Sequence, residues 1–276
     1  MSWAAPRLDG CVALVTGATR GVGKGVAVVL GEAGATVYVS GRTAVDEVAE
    51  EVSARGGRGI PARTDHADDA QVEALFERID RESGRLDLVV GNAWGGYADH
   101  DWRTFGAPVW EQPLERWTTM FESGLKSQLT TARFASARMV EQGSGLLVFT
   151  GAWDDPGEYL GNLYYDISKA AVSRLVAALG LELRDRGVAV VGIVPGFTRT
   201  EAVVDAFAAE GVDPPEASHS TEYVGRAVVQ VAADPDVQSL SGTSVQTATL
   251  GERYGFADVD GRTLERFRMP AENRLG

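Results

Sequence analysis

The chain has 276 residues, of which 44% are hydrophobic, and a formal net charge of −13. This length and apolar content allow one large core, and the negative charge argues against nucleic-acid partners and anionic membranes because like charges repel. A lone cysteine, Cys11, excludes an internal disulfide and a cysteine-based zinc site, and no metal is predicted. The first ten residues lack the apolar core of a signal peptide, so we expect a cytoplasmic protein.

Short β-branched runs alternate with longer amphipathic or Ala-rich segments along the chain. Apolar residues at successive positions predict strands that are buried on both faces, as in a parallel sheet covered by helices. We therefore predict an α/β fold: one Rossmann-type, doubly wound parallel sheet with helices on both faces, in a single domain over residues 1–276. The predicted strands are 11–17, 36–42, 58–64, 86–93, 145–152 and 188–196, and the predicted helices begin near Val22, Thr43, Asp69, Pro113, Leu160 and Thr221.

Two segments interrupt this alternation. Residues 94–113 are rich in aromatic side chains and show neither a helical nor a strand period. Residues 251–276 are Arg-rich and contain several glycines, and we expect a tail that lies over the body of the domain. Long loops within a compact domain are usually functional or disordered, and the aromatic content favours the first for 94–113.

A glycine-rich turn, Thr16 to Gly23, joins the first predicted strand to the first helix. Glycines at 17, 21 and 23 permit a tight turn and allow a pyrophosphate to approach the backbone. The following helix begins with unpaired N–H groups that suit an anion. The turn therefore predicts dinucleotide binding; the alternative is an ordinary tight connection between strand and helix.

The end of the second strand indicates which dinucleotide is bound. An acidic residue there would bind a free ribose 2′-hydroxyl, but the chain has Ser40-Gly41-Arg42 and no acid before Asp46. Arg42, with Arg20 in the glycine turn, is suited to a 2′-phosphate. We therefore favour NADP(H) while NAD(H) stays possible; the alternative is that both arginines are solvated surface residues.

Tyr165 and Lys169 are four positions apart and so share one face of a helix. An ammonium group beside a phenol favours the phenolate and lowers the tyrosine pKa from about 10. Such a tyrosine can exchange a proton with a carbonyl or alcohol oxygen while a hydride moves at the adjacent carbon. By itself the pair is also common by chance on helix surfaces.

Several motifs follow one another along the chain: the glycine turn, Asp65, Asn92-Ala93, Tyr165-x-x-x-Lys169, and Pro195-Gly196 followed by Thr200. In this order they resemble the pattern of the short-chain dehydrogenase/reductase family, and the resemblance extends from about Leu8 to Gly242. The resemblance implies an NAD(P)(H)-dependent oxidoreductase in which Lys169 also holds the nicotinamide ribose. It implies a small-molecule carbonyl or alcohol substrate, a substrate lid over 198–220, and a homodimer or homotetramer that pairs the helices near 114–141 and 160–186. The cofactor-binding residues it implies are Gly17, Thr19, Arg20, Gly21, Val22, Gly23, Arg42, Asp65, His66, Asn92, Ala93, Tyr165, Lys169, Pro195, Gly196, Thr198 and Thr200.

Three departures from the family pattern concern the reaction. The serine expected at the end of the fifth strand falls on Gly151 or Ala152, and Thr150 is the nearest hydroxyl. Because a shift of one residue along a strand changes faces, Thr150 can serve as a third catalytic residue only if the strand end bends. The asparagine expected in the fourth helix falls on Gly124, and Trp94 replaces a glycine.

These departures leave three functions open. An oxidoreductase with Tyr165 as acid and base is favoured. A non-catalytic NADP(H)-binding sensor or structural protein is the alternative, and a lyase or epimerase that uses the same tyrosine is a third. The aromatic residues after strands four and five predict a large apolar pocket for a flat or bulky carbonyl compound. Its predicted lining is Trp94, Trp153, Tyr159 and Phe197, with Trp102 and Trp110 nearby.

Overall fold

A computed structural model describes residues 3–95, 104–152 and 158–268 of the chain. Seven parallel strands form one sheet in the order β3-β2-β1-β4-β5-β6-β7, which confirms the predicted doubly wound architecture. The strands are β1 Val12–Thr16, β2 Thr36–Gly41, β3 Arg58–Arg63, β4 Leu88–Gly91, β5 Gly145–Thr150, β6 Val188–Val194 and β7 Thr243–Gln246.

Helices cover both faces of the sheet, and each face has its own apolar cluster. On one face, α1, α2 and α7 pack against residues such as Val15 and Val191. On the other face, α3, α4 and α5 pack against residues such as Leu147 and Phe149. The helices are α1 Gly21–Glu32, α2 Val45–Ala54, α3 Asp69–Ser83, α4 Ser127–Gln142, α5 Leu163–Glu182, α6 Glu201–Ala209, α7 Thr221–Ala233 and α8 Thr247–Tyr254.

Three elements are absent from the sequence-based prediction. Strand β7 is short and mostly polar and pairs with β6 alone, so its apolar pattern is too weak to detect. Helix α6 lies in the segment expected to be a lid. Helix α8 begins just before residue 251, where the expected tail starts, and includes the first residues of that tail.

The fourth helix, predicted to begin near Pro113, starts within a few residues of that position. Arg116 N donates to Pro113 O, and residues 116–117 are already helical. A π-helical segment, Thr118–Lys126, then leads into α4. π-helical geometry is rare and is frequent at functional sites.

The order of the strands determines where a ligand would bind. Strand β1 lies between β2 and β4, so the connections from these strands diverge at the carboxyl ends of β1 and β4. In open α/β sheets this divergence opens the ligand-binding crevice. Within the described ranges, the protein has no helix with the length and apolar character needed to cross a membrane.

Candidate active site

The glycine turn follows β1 and lies at this crevice. Gly21 opens α1 with φ +56°, a backbone conformation that favours glycine. A Cβ on Gly23 would lie 2.2 Å from Gly17 O and 2.4 Å from Asn92 Nδ2, so only glycine lets α1 approach the turn this closely. The turn therefore brings the first backbone N–H groups of α1 to the edge of the sheet.

One of these N–H groups already holds an anion. Gly21 N donates to Glu201 Oε2 at 2.8 Å, and the Thr200 methyl group lies against the same glycine. A carboxylate is favoured at a helix N-terminus for the same reason as a phosphate, because both accept from unpaired N–H groups near the positive end of the helix dipole. The geometry of the turn thus fits the phosphates of a dinucleotide.

The end of β2 packs against the glycine turn. Ala18 N donates to Ser40 O, and a Cβ on Gly41 would lie 2.8 Å from Thr19 Cγ2. Arg20 is the next residue after Thr19, and Arg42 is the next residue after Gly41. Both arginines are exposed. Neither guanidinium group has an ion pair or hydrogen bond with another residue of the described part. Two unpaired guanidinium groups therefore flank the point where β1 and β2 end.

A buried histidine lies beneath this point. His66 Nε2 and Ser40 Oγ are 2.8 Å apart, and burial lowers the pKa of His66 to about 4. The ring is therefore neutral at pH 7. Its Nδ1 is buried with no hydrogen-bond partner in the described structure, which leaves it available to a bound nucleotide. The neighbouring Asp65 instead accepts a hydrogen bond from Ala67 N at 3.0 Å.

Asn92 ties the ends of β1, β4 and β5 together. Its Nδ2 donates to Thr16 O and Gly17 O, each at 3.1 Å, and its Oδ1 accepts from Thr150 Oγ1 at 3.2 Å. Strand β5 stays regular to Thr150, which pairs with Ile193. The Thr150 hydroxyl therefore lies at the end of β5 and is engaged with Asn92.

The N-terminus of α5 positions Tyr165. Asn162 is the N-cap of this helix, and its Oδ1 accepts from Tyr165 N at 2.9 Å. Its Nδ2 donates to Phe105 O at 2.7 Å and to Gln112 Oε1 at 2.9 Å. This fully buried amide thus joins α5 to the loop before the π-helical segment.

Tyr165 and Lys169 share one face of α5, as predicted, and both lie beside Trp94. The Trp94 and Tyr165 rings meet edge to face at 6.1 Å between centroids. Lys169 Nζ lies 3.9 Å from the Trp94 ring centroid and 5.8 Å from that of Tyr165. Burial lowers the pKa of Lys169 to about 7. Phe105 also packs against Tyr165, at 5.7 Å between ring centroids.

The segment after β6 reaches from the crevice to α6. His219 Nε2 contacts the Pro195 carbonyl, which anchors the turn at Gly196. The Thr198 hydroxyl is buried and has no hydrogen-bond partner in the described structure. The Thr200 hydroxyl caps α6 by accepting from Val203 N at 3.3 Å. Of the two threonines, Thr198 therefore has the hydroxyl free for a ligand.

The predicted pocket residues do not all come together. Trp94 adjoins Tyr165, whereas Trp110 is 81% exposed and packs into no pocket of the described chain. Phe197 packs against Phe207 of α6 at 6.0 Å between ring centroids. Tyr159 is partly buried, and burial raises its pKa. Trp102 and Trp153 lie outside the described residues.

Sequence reasoning missed residues whose role depends on distant partners. Thr16 Oγ1 accepts from both Asn92 N and Ala93 N at 2.9 Å, and it belongs to the glycine-turn motif, which was a usable signal. The roles of Glu201 and Asn162 had no such signal, because each depends on contacts far along the chain.

The chain belongs to the short-chain dehydrogenase/reductase family, since the family profile described as short chain dehydrogenase matches residues 11–211. It is 38% identical to human Dehydrogenase/reductase SDR family member 1 over 277 residues, covering 95% of this chain and 87% of the relative. It is 29% identical to 7alpha-hydroxysteroid dehydrogenase of Escherichia coli strain K12 over 199 residues, 71% of this chain and 74% of the relative.

Solved structures agree in fold. A 7 alpha-hydroxysteroid dehydrogenase complexed with NADH and 7-oxo glycochenodeoxycholic acid superposes with a TM-score of 0.73 at 25% identity, covering 87% of this chain and 93% of the other. A putative NAD(P)-dependent gluconate 5-dehydrogenase from Beutenbergia cavernae with bound NADP, at low occupancy, superposes with a TM-score of 0.74 at 26% identity, covering 87% and 96%.

Proposed function

We propose that this short-chain dehydrogenase/reductase reduces a ketone or aldehyde with NADPH, or oxidises the corresponding alcohol, with Tyr165 as the proton donor and acceptor. The observation that supports the proposal most is the position of Tyr165 and Lys169 on one face of α5, both against Trp94. This places a phenol and an amine at the crevice where the strand connections diverge.

When bound, a nicotinamide cofactor would supply or accept the hydride. Tyr165 gives its phenolic proton to the developing alkoxide during reduction, or accepts a proton from the alcohol during oxidation. The Lys169 ammonium favours the phenolate form of Tyr165 by charge and would hold the nicotinamide ribose. Asn162 and Phe105 hold Tyr165 in place from two sides.

The remaining cofactor contacts follow from the crevice. Gly21 and the first turn of α1 would hold the pyrophosphate once the Glu201 carboxylate moves away. Arg20 and Arg42, which lack acidic partners in the described chain, would bind a ribose 2′-phosphate, and this favours NADP(H) over NAD(H). His66 Nδ1 and Thr198 Oγ1 would pair with polar groups of the nucleotide.

The aromatic surroundings of Tyr165 favour a bulky, largely apolar substrate. Trp94 and Phe105 flank the phenol ring, and Phe197 lies in the segment that leads to α6. The steroid named for one relative belongs to this class of compound. We propose that 198–220 closes over such a substrate.

Thr150 is the proposed partner of the substrate oxygen, although its hydroxyl now donates to Asn92. That engagement favours the second candidate, an NADP(H)-binding protein without redox chemistry, because a missing oxyanion donor lowers a rate by roughly 10²–10³. A protein of this second kind would bind NADPH tightly and leave absorbance at 340 nm unchanged with every carbonyl compound.

The test is turnover of a panel of carbonyl compounds with NADPH by wild type, Tyr165→Phe and Tyr164→Phe. We expect Tyr165→Phe to lose roughly 10²–10⁴-fold in kcat because the proton donor is removed, while its NADPH affinity stays within a factor of about 3. The adjacent Tyr164→Phe is the matched control and should retain activity. Equal activity of Tyr165→Phe and wild type contradicts the proposal.

A further inference from the structure

Two of the departures from the family pattern, Trp94 and Gly124, are in direct contact. Gly124 is buried in the π-helical segment before α4. A Cβ on Gly124 would lie 2.5 Å from Trp94 Cζ3 and 2.6 Å from its Cε3. Real Cβ atoms do not come this close to a ring, so the indole occupies the space that any larger residue at 124 would need.

The same indole faces the ammonium group of Lys169. Nζ lies 3.9 Å from the ring centroid, and the side chain is 6% exposed. Within the described residues Nζ has neither a hydrogen-bond acceptor nor a carboxylate partner. An isolated buried charge is costly, and the negative face of an indole is the compensation that this geometry provides.

We propose that Trp94 is a positioning residue that holds the buried Lys169 ammonium beside Tyr165 through a cation–π contact, and that Gly124 is needed to make room for its ring. This inference deepens the proposed function and rests on it for its catalytic consequence. The two departures from the family pattern are therefore coupled: the large Trp94 ring after β4 requires that residue 124 have no side chain.

The consequence for protonation follows from the surroundings of Lys169. Burial brings its pKa down to about 7, with no charged neighbour contributing. Tyr165 is the titratable group that faces Nζ from its own helix, and Trp94 is what faces it from the rest of the described chain. Since an indole face favours the charged form, loss of Trp94 lowers the pKa of Lys169 further and empties the ammonium state at neutral pH.

Nuclear magnetic resonance of lysine side chains tests this without cofactor or substrate. The chain has three lysines, Lys24, Lys126 and Lys169, so a protein labelled with ¹³C-lysine gives few signals. Lys24 and Lys126 pair with Glu51 and Asp69 and serve as internal references. At pH 5, where all three lysines carry their charge, we expect the Lys169 Hε signals upfield of both references, because Nζ lies over the ring face.

Substitution separates an aromatic role from a merely structural one. In Trp94→Leu the upfield shift should vanish and the pKa of Lys169 should fall by about 1, whereas Trp94→Phe should retain most of both. Trp117→Leu removes a half-exposed tryptophan elsewhere and should change neither. An unshifted Lys169 signal in wild type, or an unchanged Lys169 pKa in Trp94→Leu, overturns the proposal.

Thermal melting tests the coupling with Gly124 and does not depend on Lys169. Gly124→Ala should lower Tm by several degrees when Trp94 is present and by less than half as much in Trp94→Leu, since the clash is then removed. Gly106→Ala is the matched control, because a Cβ there meets no atom within 4 Å. Equal effects of Gly124→Ala in both backgrounds would show that the two positions are not coupled and would overturn that part of the inference.

The pH dependence of activity tests whether the Trp94–Lys169 contact affects the reaction. The alkaline limb of the kcat/KM profile should move to lower pH in Trp94→Leu by the same amount as the Lys169 pKa, and Trp94→Phe should restore it. Absence of turnover by wild type removes the proposed function, yet the signal shift and the melting cycle still decide whether Trp94 holds Lys169. The two failures are therefore distinguishable.

Discussion

Single residues at the end of β2 determine the proposed choice of dinucleotide. The strand ends in Ser40 and Gly41 and so lacks the acidic residue that a free ribose 2′-hydroxyl would need. Ser40 itself is buried and hydrogen bonded to His66. Arg42 follows it, exposed and without an acidic partner among the described residues. A guanidinium in this position can bind a phosphate with two parallel hydrogen bonds, which an ammonium group cannot do.

We expect Arg42→Ala to weaken NADPH binding by roughly 10- to 100-fold and to change NADH affinity by less than about 3-fold, because only NADPH carries the 2′-phosphate. Calorimetric titration of both dinucleotides measures the ratio. Arg186→Ala, which removes an exposed arginine before β6, is the control and should change neither affinity. Parallel losses for NADPH and NADH in Arg42→Ala would contradict the assignment.

At the level of elements, α6 lies with its N-terminus across the start of α1. The Glu201 carboxylate accepts from Gly21 N, and the Thr200 hydroxyl caps α6 itself. The carboxylate therefore occupies the N–H group that the proposed pyrophosphate would use. The first turn of α6 must move, or Glu201 must rotate away, before the dinucleotide binds.

We expect Glu201→Gln to tighten NADPH binding by about 3- to 10-fold, because the neutral amide competes less well for the helix N-terminus and does not repel a phosphate. Fluorescence titration of NADPH measures the change. Asp205→Asn removes a charge further along α6 and provides the comparison, with no change expected. An unchanged or weaker affinity in Glu201→Gln would show that the carboxylate does not compete with the cofactor.

At the level of the whole molecule, the outer faces of α4 and α5 expose apolar side chains. Leu129 on α4 and Leu163, Ile167 and Leu181 on α5 are all at least one-third exposed. Exposed apolar side chains on the outer faces of helices favour an interface that covers them in solution. We propose that these faces pair two or four copies of the chain.

Light scattering after size exclusion should therefore give wild type a mass of two or four times the 29.3 kDa chain. Ile167→Arg places a charge in the proposed interface and should shift the protein toward the monomer. Val259→Arg, which alters an exposed valine in the C-terminal segment, should leave the mass unchanged. A monomeric wild type would rule out the pairing.

Local patterns predicted much of the fold and part of the site. Six strands and the glycine turn follow from apolar runs and glycine spacing, and the Tyr165–Lys169 pair follows from helical periodicity. The short edge strand β7 was missed, because it is mostly polar and lacks an apolar run.

The sequence by itself determined the elements that neighbouring residues specify: the buried strands, the turn that suits a phosphate, and a phenol and an amine on one helical face. Only the tertiary structure decided how distant residues meet. Glu201 reaches Gly21 across 180 positions, and the Trp94 ring fills the space left by Gly124. Such contacts depend on how parallel strands and their crossover connections bring remote segments to one edge of the sheet, and local periodicity carries no information about them.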